Sequence, residues 1–455
     1  MSPASAVRPV TVSPTTLLGL HAANPERYPA FFESAAAGEP LGRFDVLFAY
    51  PGERLTLHSD LLLSGPAGIE SSASFLDALD RWWSRERTAS DDSSLPFRGG
   101  WLVYLGYELA AQIEPRLRLP ASAGLVAQAV RIPLAVIHQR GTDRGWIVAE
   151  PGYAANVDLI EMDLAAAPRS APTPQPLLES DIVEDPPQRY LDAVTRALEY
   201  VGAGDVYQAN LSRGWQASLR RGVQPLHLYQ RLRHTNPGPF CALAVLDGIA
   251  IVSSSPERLV SVRDHVVQTR PIAGTRPRGS DVHSDEYLAK ELHAHPKERA
   301  EHVMLIDLER NDLGRICEAG SVHVDEFMTI ESYAHVHHIV SNVRGRLRAD
   351  VTPGQVLAAV FPGGTITGCP KVRCMEIIAE LEGAPRGAYT GSLGYLNRDG
   401  SMDFNILIRS LEVRGDSVSL RAGAGIVADS IPERELEETR AKARGVLRAL
   451  TGAVP

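Results

Sequence analysis

FCALAVLDGIAIVSSS (240–255) constrains the fold more than any other stretch of this 455-residue chain. Two apolar runs of strand length meet at Leu246-Asp247-Gly248, a turn that brings the second run back antiparallel beside the first. A second such turn, Arg398-Asp399-Gly400, follows the strand-like YTGSLGYLN (389–397). LSRGWQASL, HVVQTR and SVSLRAGAGIVAD also read as strands, and helical stretches stand between strands without a regular βαβ rhythm. That pattern is α+β with antiparallel sheets, and it excludes a doubly wound parallel fold.

Ahead of these, RFDVLFAY (43–50), GGWLVYLGYEL (99–109) and LAVIHQR (134–140) have strand character, and FLDALDRWWSR (75–85) has helical character. Residues 1–16 read as a frayed polar lead. Six prolines between 168 and 187 mark an extended, surface-lying linker. It divides the chain into an N-terminal region, 1–167, and a second region, 188–455. The latter opens on a helix with Leu191, Val194, Leu198 and Val201 on its apolar face.

Charge narrows the partners. A net charge of −9 and a pI near 5.9 weigh against nucleic acid or an anionic membrane. No apolar run reaches the roughly 18–20 residues of a membrane span, and no basic-then-apolar leader opens the sequence. Cys241, Cys317, Cys369 and Cys374 lack CxxC spacing, which weighs against zinc and a disulfide framework and suits a reducing compartment. The cytoplasm is the expected location.

Two stretches carry paired carboxylates. In KERAEHVMLIDLERND (297–312), Glu298 and Glu301 stand three apart, so a helix would put both on one face. They are either a solvated face supported by Lys297 or a cation site. In PERELEETRAKARGVLRAL (432–450), Glu435, Glu438 and Lys442 fall on one stripe of a helix whose core face carries Leu436, Ala443, Leu447 and Leu450. Facing each other, the two helices would offer four carboxylates, an oxygen-only set suited to Mg²⁺. Spacing alone does not bring them together.

Four further features bear on chemistry. FPGGTITGCPK (361–371) is a Gly-rich turn running into a helix, with Pro370 suited to its first position and backbone N–H groups open to an anion. QTRPIAGTRPRG (268–279) gathers Arg270, Arg276 and Arg278 around Gly274 and Thr275, and reads as a basic surface turn. In AHVHHIVSNVRG (334–345), alternation sends His335 and His337 to one face and His338 to the other, against a three-histidine metal site. His338 is either a general acid or a core histidine. Arg409 interrupts the apolar strand MDFNILIRSLEV, where a buried guanidinium needs a carboxylate from the protein or from a substrate.

Taken together, these stretches resemble the chorismate-utilising enzymes. The resemblance runs from about residue 190 to 455 through GDVYQANLSR, SSSPERL, RPIAGTRPRG, KERAEHVMLIDLERNDLGR, HVHHIVSNVRG, FPGGTITGCPKVRCMEII, GYLNRDGSMDFNILIRS and AGAGIVADSIPERELEET. A weaker likeness reaches GRFDVLFAYP and GGWLVYLGYEL. It implies the fold of aminodeoxychorismate synthase: large antiparallel sheets packed together with helices outside. It also implies an Mg²⁺ site at Glu298, Glu301, Glu435 and Glu438, through which the metal holds the ring carboxylate of chorismate. Tyr389, Arg409, Gly423, Gly425 and Lys442 match positions lining the carboxylate pocket, with Gly274, Thr275 and Thr365 in the same site. His338 matches the acid/base histidine near the leaving hydroxyl.

Gln208 narrows the reaction. Family members that add water carry a lysine base at this point of the strand motif, and a neutral amide cannot activate water. The resemblance therefore implies amination, with ammonia from a separate glutamine amidotransferase subunit. GRFDVLFAYP and FPGGTITGCPK resemble aminodeoxychorismate synthase component I, which makes 4-amino-4-deoxychorismate on the way to 4-aminobenzoate and folate. Ala273 in PIAGT resembles anthranilate synthase component I instead, although NPGPF (236–240) and FFES (31–34) are only loosely similar to its tryptophan-binding signature. A non-catalytic chorismate-binding subunit is the reading from another class. The full carboxylate set and a positioned acid weigh against it.

Overall fold

The computed structural model describes residues 6–452 apart from 36–41, 70–73, 91–92, 123, 168–175, 280 and 333–335. Strand Gly100–Leu105 shows what alternation builds here. Trp101, Val103 and Leu105 pack on one side, while Leu102 and Tyr104 pack on the other. Both faces are buried, which is why the strand reads as an unbroken apolar run.

Among the described residues two antiparallel sheets, one of 12 strands and one of 11, lie face to face. Val46, Phe48, Ile137 and Ile251 of the larger sheet meet Leu102, Tyr104, Val130 and Leu393 of the smaller. Helices Pro14–Ala23, Ala154–Ala166, Pro225–Thr235 and Pro432–Thr451 cover the outside of the larger sheet. Phe75–Glu86, Pro296–Gly314 and Pro353–Val360 cover the outside of the smaller. This is the expected α+β arrangement of packed antiparallel sheets with helices outside.

The proline-rich stretch does not separate two folded bodies. Ala30–Glu33 pairs with Phe240–Leu246 in the larger sheet, and Gly100–Leu105 pairs with Ser392–Asn397 in the smaller. Strands from both sides of the linker therefore share each ladder. The described end of the linker is itself pinned: Leu177 is buried, and Val183–Glu184 pairs with Gln208–Ser218. Residues 168–175 lie outside the described residues.

The expected frayed lead is also corrected. Ala6–Thr11 forms the outermost strand of the larger sheet, against Arg144–Ala149, and Ser13 caps the next helix by accepting from Thr16 N. An edge strand with an exposed face and a proline carries little apolar signal.

A buried ion network ties the layers together around helix Lys371–Glu382. Arg386 donates to both oxygens of Glu382, at 2.7 and 3.1 Å, and to the carbonyls of Asn210 (2.6 Å) and Ile366 (3.2 Å). Arg421 donates to Glu382 at 3.0 Å, and Ser212 adds its amide (2.7 Å) and hydroxyl (2.9 Å). Removing one partner would strand a buried charge. Glu382→Ala should therefore lower the unfolding free energy by roughly 3–5 kcal/mol, measured by urea denaturation. A loss below about 1 kcal/mol would show that the network does not hold the layers.

Candidate functional site

Each carboxylate pair begins in a helix's first turn, with Glu298 and Glu435 there and Glu301 and Glu438 one turn further on. Pro296 opens Pro296–Gly314, and His295 caps it by accepting from Glu298 N at 3.5 Å. Pro432 opens Pro432–Thr451, with Glu433 and Glu435 in the first turn. The unsatisfied N–H groups of a first turn favour negative charge there.

The two pairs share one site. Glu301 is held above the usual carboxylate range, first by burial, then by Glu298 and Glu438. Burial foremost, and then Glu438, raises Glu435 likewise. One carboxylate of each pair already has a cation: Arg276 donates to Glu298 at 3.2 Å, and Lys442 lies 2.7 Å from Glu438 while donating to Gly423 O at 3.0 Å. In this arrangement no three His, Cys, Asp or Glu side chains among the described residues converge closely enough to hold an ion. The donor set still fits a hard divalent cation, which would relieve the mutual repulsion that raises Glu301 and Glu435.

Gln208 begins strand Gln208–Ser218, which pairs with Ser417–Ile426 so that Asn210 faces Gly425 and Ser212 faces Gly423. Its Nε2 donates to Glu301 at 3.3 Å. Gln208 Oε1 and Asn210 Oδ1 are buried without a hydrogen-bond partner. The two glycines make room for these groups. A Cβ at position 425 would stand 2.2 Å from Gln208 Nε2, and one at 423 would stand 2.7 Å from the Tyr389 hydroxyl. Burial pushes Tyr389 up to about 12, so the phenol keeps its proton.

The remaining residues gather where strands change sheets. Glu257 lies between Ile249–Ser255 of the larger sheet and Arg258–Arg263 of the smaller. Arg409 lies between Met402–Ile406 of the smaller sheet and Ser410–Arg414 of the larger. The two crossovers are stitched together, with Ile406 N donating to Glu257 O at 3.0 Å and Ser255 Oγ donating to Ile406 O at 2.5 Å. Arg409 therefore stands at a break between strands, at φ 52°, and not within one strand as the apolar run suggested. Among the described residues no carboxylate is bonded to its guanidinium.

Glu257 was not singled out in the sequence. Burial pushes its carboxyl up to about 7, with Thr365, the Ile272 amide, Arg409 and Lys442 pulling the other way. It is thus partly protonated near neutral pH. A lone glutamate after Ser-Ser-Ser-Pro has no periodic partner to mark it, and the only available signal was its place in a motif.

His338 faces Thr275 across paired strands Ile272–Pro277 and Val336–Arg346, where the ladder bulges at Gly274. Its Nδ1 lies 3.0 Å from Thr275 Oγ1 and 3.4 Å from Gly274 O. Gly274 holds φ 68°, and a Cβ there would stand 2.9 Å from Glu298 Oε2, so glycine is needed twice over. Burial first, then Arg409, holds His338 down to about 3. The imidazole is therefore neutral at physiological pH.

Other expectations change. The basic stretch 268–279 is not a surface turn. Arg270 is buried against Glu326 (2.7 Å) and Glu331 (2.5 Å), and Arg278 is paired with Asp285. His337 bonds Ser332 at 2.7 Å and Asp285 at 2.9 Å, away from His338, and His335 lies outside the described residues. Pro370 caps the helix from the position before its first residue, Lys371. Thr365 sits in a single turn, Gly364–Ile366, beside Glu257.

Comparison with known proteins bears on this arrangement. The family described as chorismate binding enzyme matches residues 44–448. An anthranilate synthase component I-like protein of Synechocystis sp. is 44% identical over 367 residues, 79% of this chain and 74% of that protein. Aminodeoxychorismate synthase component 1 of Bacillus subtilis is 40% identical over 389 residues, 82% of each chain. The crystal structure of anthranilate synthase component I from Streptococcus pneumoniae superposes with a TM-score of 0.78 at 30% identity, covering 90% of this chain and 94% of that one.

Glu257 yields a test in the pH dependence of stability. Its folded-state value of about 7 lies above the ordinary 4.5, so stability is complete below about pH 4.5 and is lost as the pH rises through 7. Glu257→Gln should stabilise the fold by up to roughly 3 kcal/mol at pH 8 and leave it unchanged at pH 4. Urea denaturation at the two pH values checks this, and an equal effect at both would contradict the assignment.

Proposed function

The chain belongs to the chorismate-binding enzymes, and on that premise we propose that it replaces a ring hydroxyl of chorismate with an amino group taken from ammonia. The product we assign is 4-amino-4-deoxychorismate, which leads to 4-aminobenzoate and folate. Gln208 carries this reading: a neutral amide, 3.3 Å from Glu301, stands where water addition would need a base. Its free Oε1 and the Oδ1 of Asn210 are two buried acceptors, suited to the N–H groups of ammonia.

The other groups divide the work. Arg409, bonded to no carboxylate among the described residues, and Lys442 offer cations to the substrate's carboxylates. Tyr389 keeps a hydroxyl donor at the Gly423 strand, and Gly423 and Gly425 leave room for the ring. Glu298, Glu301, Glu435 and Glu438 would hold Mg²⁺, which supplies charge neutralisation for a carboxylate entering an acidic protein. Glu257, protonated, can give its proton to the departing hydroxyl, and neutral His338, held by Thr275 and Gly274, can hydrogen-bond the substrate beside it. Thr365 lies beside Glu257. Ammonia would come from a glutaminase partner, a division of labour supported by the word "component" in the relatives' names.

A second reading, anthranilate synthase component I, is favoured by Ala273. Some aminodeoxychorismate synthases carry a lysine there as a nucleophile, and buried Ala273 cannot form that adduct. On our reading the route uses ammonia alone, and the site must orient it within hydrogen-bond distance of the ring.

The product decides between the two. Purified chain with chorismate, Mg²⁺ and ammonium should give 4-aminobenzoate only when aminodeoxychorismate lyase is added. Fluorescent anthranilate as the main product without lyase would assign the second reading, and isochorismate formed without any ammonia would sink both. Chelation with EDTA should abolish turnover, and Mg²⁺ should restore it. Glutamine should serve as nitrogen source only with a second subunit present.

A further inference from the structure

The inner face of helix Pro296–Gly314 carries more acid than the substrate site uses. Glu298, Glu301, Leu305, Glu309 and Asp312 follow one another at i+3 or i+4 and so share one face. Leu305 divides them into an outer pair at the substrate site and an inner pair buried in the core. Glu309 is 6% exposed and Asp312 2% exposed.

Lys371 is bonded to Asp312 at 2.5 Å and to Val360 O at 3.3 Å, and Arg315 reaches Asp312 at 3.3 Å. Among the described residues no cation is bonded to Glu309. Its neighbours are Thr269 from the adjacent strand, Glu257 from the sheet crossover, and Asp312 and Lys371. A Cβ on Gly364 would stand 3.4 Å from Glu309 Oε1, while the next residue, Thr365, lies beside Glu257. Consecutive Cα atoms are about 3.8 Å apart, so the two carboxyls flank a single turn of backbone. At the other end, Asp312 and Lys371 line a water-accessible groove of about 950 Å³.

We propose that Glu309 is a positioning residue that holds a proton for Glu257 and returns it after each turnover, drawing on the groove through Asp312 and Lys371. The inference rests on the amination reading. As the ring C–O bond breaks, the leaving oxygen takes the proton of Glu257 and departs as water. Glu257 then takes the proton of Glu309, which is replaced from solvent by way of Asp312 and Lys371. The lone pair of ammonia forms the C–N bond, its surplus proton passes to solvent, and the protein ends with the protons it began with. Burial foremost, then Asp312, pushes the Glu309 carboxyl above the usual carboxylate range, which favours its protonated form.

Glu309→Gln keeps the shape and removes the proton. Infrared spectra of the free wild type at pH 7 should show a protonated-carboxyl band, besides that of Glu257, that this variant lacks. With saturating ammonium, kcat should fall about 10-fold or more while KM for chorismate stays within about twofold. Above both titrations, log kcat should fall with a slope approaching −2 in the wild type and −1 in the variant. Glu309→Asp, which keeps a proton, should recover most of the rate. A folded Glu309→Gln with wild-type kcat and an unchanged alkaline limb overturns the proposal, and so does an active wild type without the band. A wild type that shows the band and turns over no chorismate overturns the relay and the amination reading together.

Discussion

The Glu382–Arg386 pair is the contact on which both the sandwich and its site depend, because it is made in the interior by groups that water would otherwise hold. Glu382 sits at the end of a helix, and its oxygens are taken by Arg386, Arg421 and Ser212. Arg386 passes the constraint on to the carbonyls of Asn210 and Ile366, which flank Gln208 and Thr365 in sequence. The N-terminal region joins in at Glu108, which accepts from the amides of Arg386 and Gly387 at 2.7 and 3.2 Å. Desolvating such a cluster is unfavourable unless every lone pair and proton is met. Here the bonds come from two strands of the larger sheet and from both halves of the chain, so the pieces must assemble together.

Crossovers between sheets explain why the chemistry gathers where it does. Inside a ladder, backbone groups are taken up by neighbouring strands and side chains point into packed layers. At the corners where Glu257 and Arg409 lie, the chain leaves one sheet for the other, and an ionisable side chain is buried (Glu257) or half-buried (Arg409) without being part of a core layer. Glu257 is partly protonated for that reason, and Arg409 remains open to a carboxylate. Arg409 and Lys442 thus set two cations against the acid overall charge of the protein at this point.

What was legible in the sequence was what repeats. The hairpin turns gave the antiparallel sheets, and the i, i+3 spacing gave both carboxylate pairs, because a helix face imposes a period that local sequence must obey. What did not repeat was missed. Glu257, Glu309 and the Glu382–Arg386 pair act through neighbours that are remote in sequence, and no spacing rule reports them. Arg409 was read as part of one strand because two strands of different sheets abut there with a single run of apolar residues. The arginines of 268–279 looked solvated because their partners, Glu326, Glu331 and Asp285, lie elsewhere in the sequence.

The carboxylate helices lie far apart along the chain, and that spacing has a consequence during synthesis. Glu301 and His338 leave the ribosome well before Glu435, Glu438 and Lys442. At about 5–20 residues per second, the roughly one hundred intervening residues take on the order of 5–20 s. For that interval the nascent chain carries half a site: like charges on one helix, with neither Lys442 to offset them nor a second helix to share a cation. Strand Gln208–Ser218 also waits for Ser417–Ile426 to cover its edge. A metal ion or substrate cannot reward early folding of such a fragment, so the chain has to be carried to its C-terminal helix by apolar burial alone, the stage at which a chaperone has most to protect.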